Sequence, residues 1–211
     1  MGMVIDSATV YIMTSNFSRS ALGGSSGSSG TRNREYGIID ANLQDVQAVS
    51  NIFNADWNHS PTQFNDANLV VSPVNSRSAF TNLIGNAQHS LLIEAEEMND
   101  SAIEQALVNA ASRGVQIEII LPAPKGSASD SNSSGIAAIK QSNITVREDP
   151  QLYMHAKIIV VDGGKAFVGS ENISTQSLDQ NRELGILVSD TSVLGTLQST
   201  FQTDWGVSHN A

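Results

Sequence analysis

Cysteine is absent from this 211-residue chain, which excludes disulfides, zinc knuckles, iron–sulfur clusters and thiol nucleophiles. Basic residues are scarce: 11 lysines and arginines stand against 21 aspartates and glutamates, a net charge of -10. Counterion release needs a basic face, so a non-specific grip on nucleic acid or an anionic membrane is disfavoured as the main activity. No apolar run approaches the roughly 18 residues of a membrane span. The opening residues MGMVIDSATVYIM lack a basic stretch and a cleavage site, so they do not read as a signal peptide. What is there suffices for a folded protein: 40% of residues are hydrophobic and only 15% charged, with length for one domain or one and a half. Low lysine with abundant serine and asparagine suits an exported protein; the compartment is otherwise open.

From residue 66 onward, apolar runs alternate with helical patterns, the mark of an α/β layer fold. NLVVS (68–72), SLLIEAE (90–96), VQIEIILP and ITVRED read as strands. SRSAFTNLIGNA reads as an amphipathic helix, and a second opens at Asn99 or Asp100 and ends at Gly114. Loop composition fills 122–135, followed by a short helix, GIAAIKQ. Three close strands are expected near 154–161, 165–170 and 183–188, then a final helix over 191–205.

The first 60 residues read as a shorter copy of the last 50. VIDSATVYIMTSNFSRSAL aligns with VVDGGKAFVGSENISTQSL 156 positions later, placing Asp6 on Asp162, Asn16 on Asn172 and Leu22 on Leu178. NREYGI (33–38) then matches NRELGI (181–186) at 148 positions, and Phe53, Asp56 and Trp57 fall on Phe201, Asp204 and Trp205. The segment GGSSGSSG (23–30), natural or engineered, absorbs the difference and reads as a flexible surface loop, not a phosphate loop. The second copy has a long run before Asp162 and the first almost nothing before Asp6. The expected organisation is therefore a C-terminal remnant of one domain over 1–58, a connector over 59–67 and a complete second domain over 68–211.

The sharpest local signal is His155-Ala-Lys157-Ile-Ile-Val-Val-Asp162. Strand alternation puts His155 and Lys157 on one face, and an imidazole beside an ammonium suits an anionic phosphoryl group. Ser170 and Asn172 of GSENIS, again two apart, supply neutral donors. Glu183 of NRE opens the following strand and is placed to hold an imidazole in one tautomer. Asp162 reads as a turn anchor. His59, His89 and His209 have no lysine two residues on and read as surface or loop residues, and Trp57 and Trp205 as packing residues.

H-x-K-x4-D followed by G-S-x-N and N-R-E resembles the second catalytic motif of the phospholipase D superfamily. The stretches SPVNSRSAFTNLIGNAQHSLLIEAEEMND and ALVNAASRGVQIEIILP resemble the opening of such a domain in bacterial two-motif members. The resemblance implies an α-β-α sandwich, a mixed sheet flanked by helices. It also implies metal-independent phosphodiester hydrolysis or transphosphatidylation through a phosphohistidine, with no cofactor. Two His-Lys pairs meet across a pseudo-twofold axis, one histidine attacking phosphorus and the other protonating the leaving oxygen. His155 takes the acid role first and the nucleophile role second; Lys157, Ser170, Asn172 and Asn16 would bind phosphate. Glu94, Glu96 and Glu97 read as a solvated strand end, not a metal cluster.

One departure matters. In the repeat register the first motif's lysine falls on Met1 and its histidine before it, so Asp6, Asn16 and Glu35, with Thr14 at the serine position, are what remains of the first half-site. Three readings follow: an enzyme completed by an upstream segment, a homodimer joining two His155–Lys157 halves, and a non-catalytic phosphate-binding or assembly module. The acidic charge leans towards a phospholipid headgroup or small diester over nucleic acid.

Overall fold

Apolar runs bounded by polar turns become the buried strands of one large sheet. The computed structural model describes residues 1–18, 32–124, 131–140 and 143–211; GGSSGSSG and residues 125–130 of the expected 122–135 loop lie outside the described residues. Three strands form a parallel core: β6 (Ser90–Ala95), β8 (Gln116–Pro122) and β9 (Ile144–Asp149), linked by α3 (Ser101–Ser112) and α4 (Ser133–Ala138). Asp100 caps α3 through the amides of Ala102 and Ile103. On the other side of β6 the sheet turns antiparallel through β11 (Lys157–Val161), β12 (Lys165–Gly169), β14 (Glu183–Val188) and β5 (Leu69–Ser72). The short β15 (His209–Asn210) closes the far edge on β9, giving the order β15-β9-β8-β6-β11-β12-β14-β5.

Strand alternation divides the two faces of this sheet. Ile93, Ile119, Ile159 and Phe167 pack with Phe80, Leu83 and Ile84 of α2 (Ser76–Gly85) and with Ile103 and Leu107 of α3. Ile158, Val160, Ala166 and Val168 instead meet Leu194 and Leu197 of α6 (Thr191–Val207). The mixed sheet flanked by helices is the expected sandwich. Short pairs join β7 (Met98–Asn99) to β13 (Ile173–Ser174), which leads into α5 (Thr175–Asp179). No helix among the described residues is long and apolar enough to cross a membrane.

Within residues 2–18 and 32–57 lies a second, smaller layer: β1 (Gly2–Ile5), β2 (Thr9–Met13) and β4 (Gly37–Asp40) in one antiparallel sheet, then α1 (Leu43–Trp57). Gly2 pairs with Ile12 as Ile158 pairs with Val168, and Met13 with Gly37 as Gly169 with Gly185. Asn42 caps α1 as Asp190 caps α6, each accepting from the backbone two residues on. The two layers meet where Val10, Ile12 and Ile52 pack on Leu69, Val71 and Ile186. Arginines cross that junction both ways: Arg34 binds Asp204 and Arg182 binds Asp56. Residue i of one layer thus contacts residue j of the other and the reverse, as in an isologous interface. Trp57 departs from its expected packing role: it is 74% exposed, whereas Trp205 is half-buried under the Arg147 guanidinium.

Candidate active site

His155 sits where β10 (Leu152–Met154) hands over to β11, and β3 (Arg32–Arg34) runs parallel beside β10. Arg34 pairs with Met154 in that register, so the next residues, Glu35 and His155, come abreast. The Glu35 Oε1 atom lies 2.8 Å from His155 Nδ1. Thr14 Oγ1 donates to the other Glu35 oxygen at 2.7 Å and Asn33 donates to Oε1 at 3.2 Å, so the carboxylate is fixed from three sides. Such a partner sets the Nδ1–H tautomer and leaves Nε2 for chemistry.

Lys157 is buried at the first position of β11, opposite Ala95 at the end of β6. Its ammonium donates to the His155 carbonyl and to Glu96 Oε2, both at 2.8 Å, and lies 3.3 Å from His155 Nδ1. Glu96, the residue after β6, also lies 3.4 Å from His155 Nε2 and accepts from the Tyr153 hydroxyl at 3.1 Å. Burial alone would raise the Glu96 carboxyl, yet Lys157, with His155 and Tyr153, holds it below its ordinary value. Burial, with Glu96 adding to it, pushes Tyr153 up to about 12.

Glu183 does not hold His155. Its oxygens accept from Ser170 Oγ at 2.6 Å and Asn181 at 3.3 Å, and the imidazole's carboxylate belongs to Glu35 instead. The Ser170–Glu183–Asn181 group repeats Thr14–Glu35–Asn33 without a histidine on it. Local spacing cannot reveal that exchange, because parallel pairing of β3 with β10 delivers Glu35 across the layer junction. Asn172 keeps its backbone amide on Ser177 Oγ, and its own Oδ1 is buried without a partner among the described residues. Asn16 is exposed. Asp162 accepts the amides of Gln88, His89 and Ser90 at 2.9, 2.7 and 2.8 Å, fixing the start of β6; Asp6 is exposed in a matching left-handed turn. His59, His89 and His209 are exposed.

Of the three glutamates read from sequence as a solvated strand end, Glu94 is fully buried, whereas Glu96 and Glu97 are half-buried and Glu96 forms an ion pair with Lys157. Burial pushes the Glu94 carboxyl up to about 8. Glu171 behaves likewise: it is fully buried, pushed up to about 8, and lies against Gly169 and Gly185, whose missing Cβ atoms leave it room. No group of three or more His, Cys, Asp or Glu side chains among the described residues is arranged for a metal ion.

An imidazole oriented by one carboxylate, with an ammonium beside it, is a constellation for phosphoryl or acyl chemistry. Residues 80–205 match the family model described as the PLD-like domain of cardiolipin synthase. The chain belongs to the phospholipase D superfamily. Among its superfamily relatives is phospholipase D Z of Dictyostelium discoideum, 35% identical over 128 residues, which cover 52% of this chain and 30% of that protein. Another is the major cardiolipin synthase ClsA of Bacillus subtilis, 28% identical over 188 residues, 77% of this chain and 39% of the relative. The chain thus spans between about a third and two fifths of the length of these two relatives. The phospholipase D family member Nuc of Salmonella typhimurium shares the fold, with a TM-score of 0.62 at 23% identity over 68% of this chain and 95% of that one.

Proposed function

We propose that this chain carries one half of a metal-independent phosphodiester site acting by hydrolysis or transphosphatidylation through a phosphohistidine. The observation that carries the reading is the 2.8 Å contact of His155 Nδ1 with Glu35, which leaves Nε2 facing Glu96 at 3.4 Å, the carboxylate that also holds the Lys157 ammonium. In this reading residues 1–58 and 68–211 are the remnant and the complete copy of one duplicated unit, joined by 59–67. The matching strand registers and helix caps, and the reciprocal arginine–aspartate pairs, support that duplication.

In the proposed mechanism a second histidine, from an upstream segment or a second protomer, attacks phosphorus. His155 gives its Nε2 proton to the departing oxygen as the P–O bond breaks. Water or an alcohol then attacks the phosphohistidine, His155 Nε2 takes that nucleophile's proton, and the P–N bond breaks. Lys157 holds the non-bridging oxygens, in the place Glu96 now occupies, with Ser170 and Asn172 as neutral donors. Glu35 keeps its hold on Nδ1–H throughout and stabilises the imidazolium. A phospholipid headgroup is favoured as substrate by the cardiolipin synthase match and by the chain's acidity.

Hydrolysis of a chromogenic phosphodiester in excess EDTA, over a range of protein concentrations and with His155→Ala as control, tests this. Activity that needs His155 and rises faster than linearly with concentration would mean that two copies complete one site. Activity equal in the His155→Ala control would refute the assignment of His155. Phosphate binding without turnover at any concentration points to a missing second half or to a binding module. Turnover after a second His-Lys pair is supplied separates those two.

A further inference from the structure

One carboxylate oxygen of Glu96 lies where the phosphoryl site would place an oxygen of its ligand. Oε2 is 2.8 Å from Lys157 Nζ and 3.4 Å from His155 Nε2, so a single atom bridges the ammonium and the free nitrogen of the imidazole. The Lys157 side chain is 4% exposed, and a second of its three protons goes to the His155 carbonyl at 2.8 Å. A ligand oxygen therefore reaches the ammonium beside Nε2 only by displacing Glu96. The displaced carboxylate stays close, because the backbone around it is fixed. Asn132, 2% exposed, donates from Nδ2 to the Glu96 carbonyl at 3.1 Å and accepts the Met98 amide on Oδ1 at 2.9 Å. The Tyr153 hydroxyl donates to Oε1 at 3.1 Å, which leaves side-chain torsions as the way to move Oε2. Burial would raise this carboxyl, but Lys157, His155 and Tyr153 hold it low, so it stays ionised. An anion on Lys157 thus shares the site with a fixed negative charge one side chain away. Glu35 and Glu183 do not take that place, being turned to His155 Nδ1 and to Ser170.

We propose, resting on the phosphoryl reading of His155 and Lys157, that Glu96 is a charge selector: it admits monoanionic phosphodiesters to that pair and turns away phosphomonoester dianions. A diester carries one negative charge and a monoester nearly two above neutral pH. With the displaced carboxylate about 6 Å from phosphorus and an effective dielectric of about 20, one extra like charge weakens binding roughly a hundredfold. The Glu96 side chain is 20% exposed, and solvent screening brings the expected factor down to about tenfold. The same charge acts after turnover. Hydrolysis of a diester leaves an alcohol and a monoester, and the monoester's second ionisation, its proton going to solvent, adds the charge that Glu96 repels. The carboxylate then closes again on Lys157 and releases the product.

The test titrates dimethyl phosphate and methyl phosphate, separately and at pH 8, into the full chain carrying 15N-labelled histidine. The imidazole resonances of His155, assigned by their loss in His155→Ala, report binding without any need for turnover. The unaltered protein should bind dimethyl phosphate at least as tightly as methyl phosphate. Glu96→Gln keeps the shape of the side chain and removes its charge, and should move the affinity ratio about tenfold or more towards methyl phosphate. Tyr153→Phe loosens the carboxylate and should move the ratio the same way by a smaller factor. Equal tightening of both ligands in Glu96→Gln would make Glu96 a plain competitor and overturn the proposal. A ratio that does not move would overturn the selector alone, with the phosphoryl site left standing. His155 resonances that respond to neither anion, in the unaltered protein or in Glu96→Gln, would overturn the phosphoryl reading and the selector together. Should Glu96→Gln fail to fold, Tyr153→Phe decides, an unchanged ratio there counting against the proposal.

Discussion

The two arginine–aspartate pairs at the layer junction are one interaction in two environments, and their energies should differ by severalfold. Arg34 grips Asp204 with two bonds, Nε to Oδ2 at 2.5 Å and Nη2 to Oδ1 at 2.7 Å. The Asp204 side chain is 3% exposed and that of Arg34 26%. Arg182 reaches Asp56 through one nitrogen at 2.8 Å, with both side chains near 40% exposure, and shares that nitrogen with Thr62. Removing one partner of a buried pair costs about 3–5 kcal/mol, because the other charge is stranded. Arg34 can rehydrate through its exposed quarter, so Asp204→Asn should cost about 2–3 kcal/mol, at or below the low end of that range. Exposed pairs contribute about 0–1 kcal/mol, and Asp56→Asn should stay below about 1 kcal/mol. With a urea m-value of about 2 kcal/mol/M, the expected midpoint shifts are roughly 1–1.5 M and under about 0.5 M. A double-mutant cycle with Arg34→Gln isolates the pairwise part. Equal shifts for the two aspartates at unchanged m would refute the reasoning that burial, not pairing, sets the energy.

Three further outcomes are expected. Glu171 is neutral in the folded protein up to about pH 8 but ionises near its ordinary value when unfolded. Its contribution is therefore complete below the ordinary carboxylate pKa and lost as pH rises through 8; at about 1.4 kcal/mol per pH unit, the loss is at most about 5 kcal/mol. Glu171→Gln should flatten that decline in a Tm-against-pH series, whereas parallel curves for the two proteins would contradict it. Asp162 carries the opposite sign: its three amide donors outweigh burial and hold its carboxyl low, so its contribution is present above the ordinary carboxylate pKa and lost as pH falls through the lowered one. At pH 7 Asp162→Asn should cost about 1–2 kcal/mol in urea unfolding, against no measurable cost for Asp6→Asn. Glu96→Gln frees Lys157 and His155 of an internal anion and should tighten inorganic phosphate about tenfold or more, one charge-assisted contact being worth about 1.5–3 kcal/mol. Unchanged affinity by calorimetry would show that Glu96 does not compete for the phosphoryl position.

Much of this protein was legible in its residue order because the relevant physics is local. Apolar runs such as VQIEIILP and KIIVV become strands because alternation has nowhere else to put their side chains, and Asp100 and Asp190 start helices because a short acceptor satisfies orphan amides. The spacing of His155 and Lys157 likewise brings imidazole and ammonium together, within 3.3 Å. Tertiary structure decided the partners. Glu35 and Glu183 occupy the same place in the same N-R-E motif, and nothing local distinguishes which one holds His155. The parallel register of β3 on β10 does, by carrying Glu35 across the layer junction. Glu96 joins the site because Ala95 pairs with Lys157, a register set by the whole sheet. The fates of Phe53 and Phe201 were equally invisible in sequence. Both lie on an amphipathic helix one turn before a tryptophan, but burial depends on what covers a face: Ile120 and Met154 cover Phe201, whereas among the described residues Phe53 stays 62% exposed.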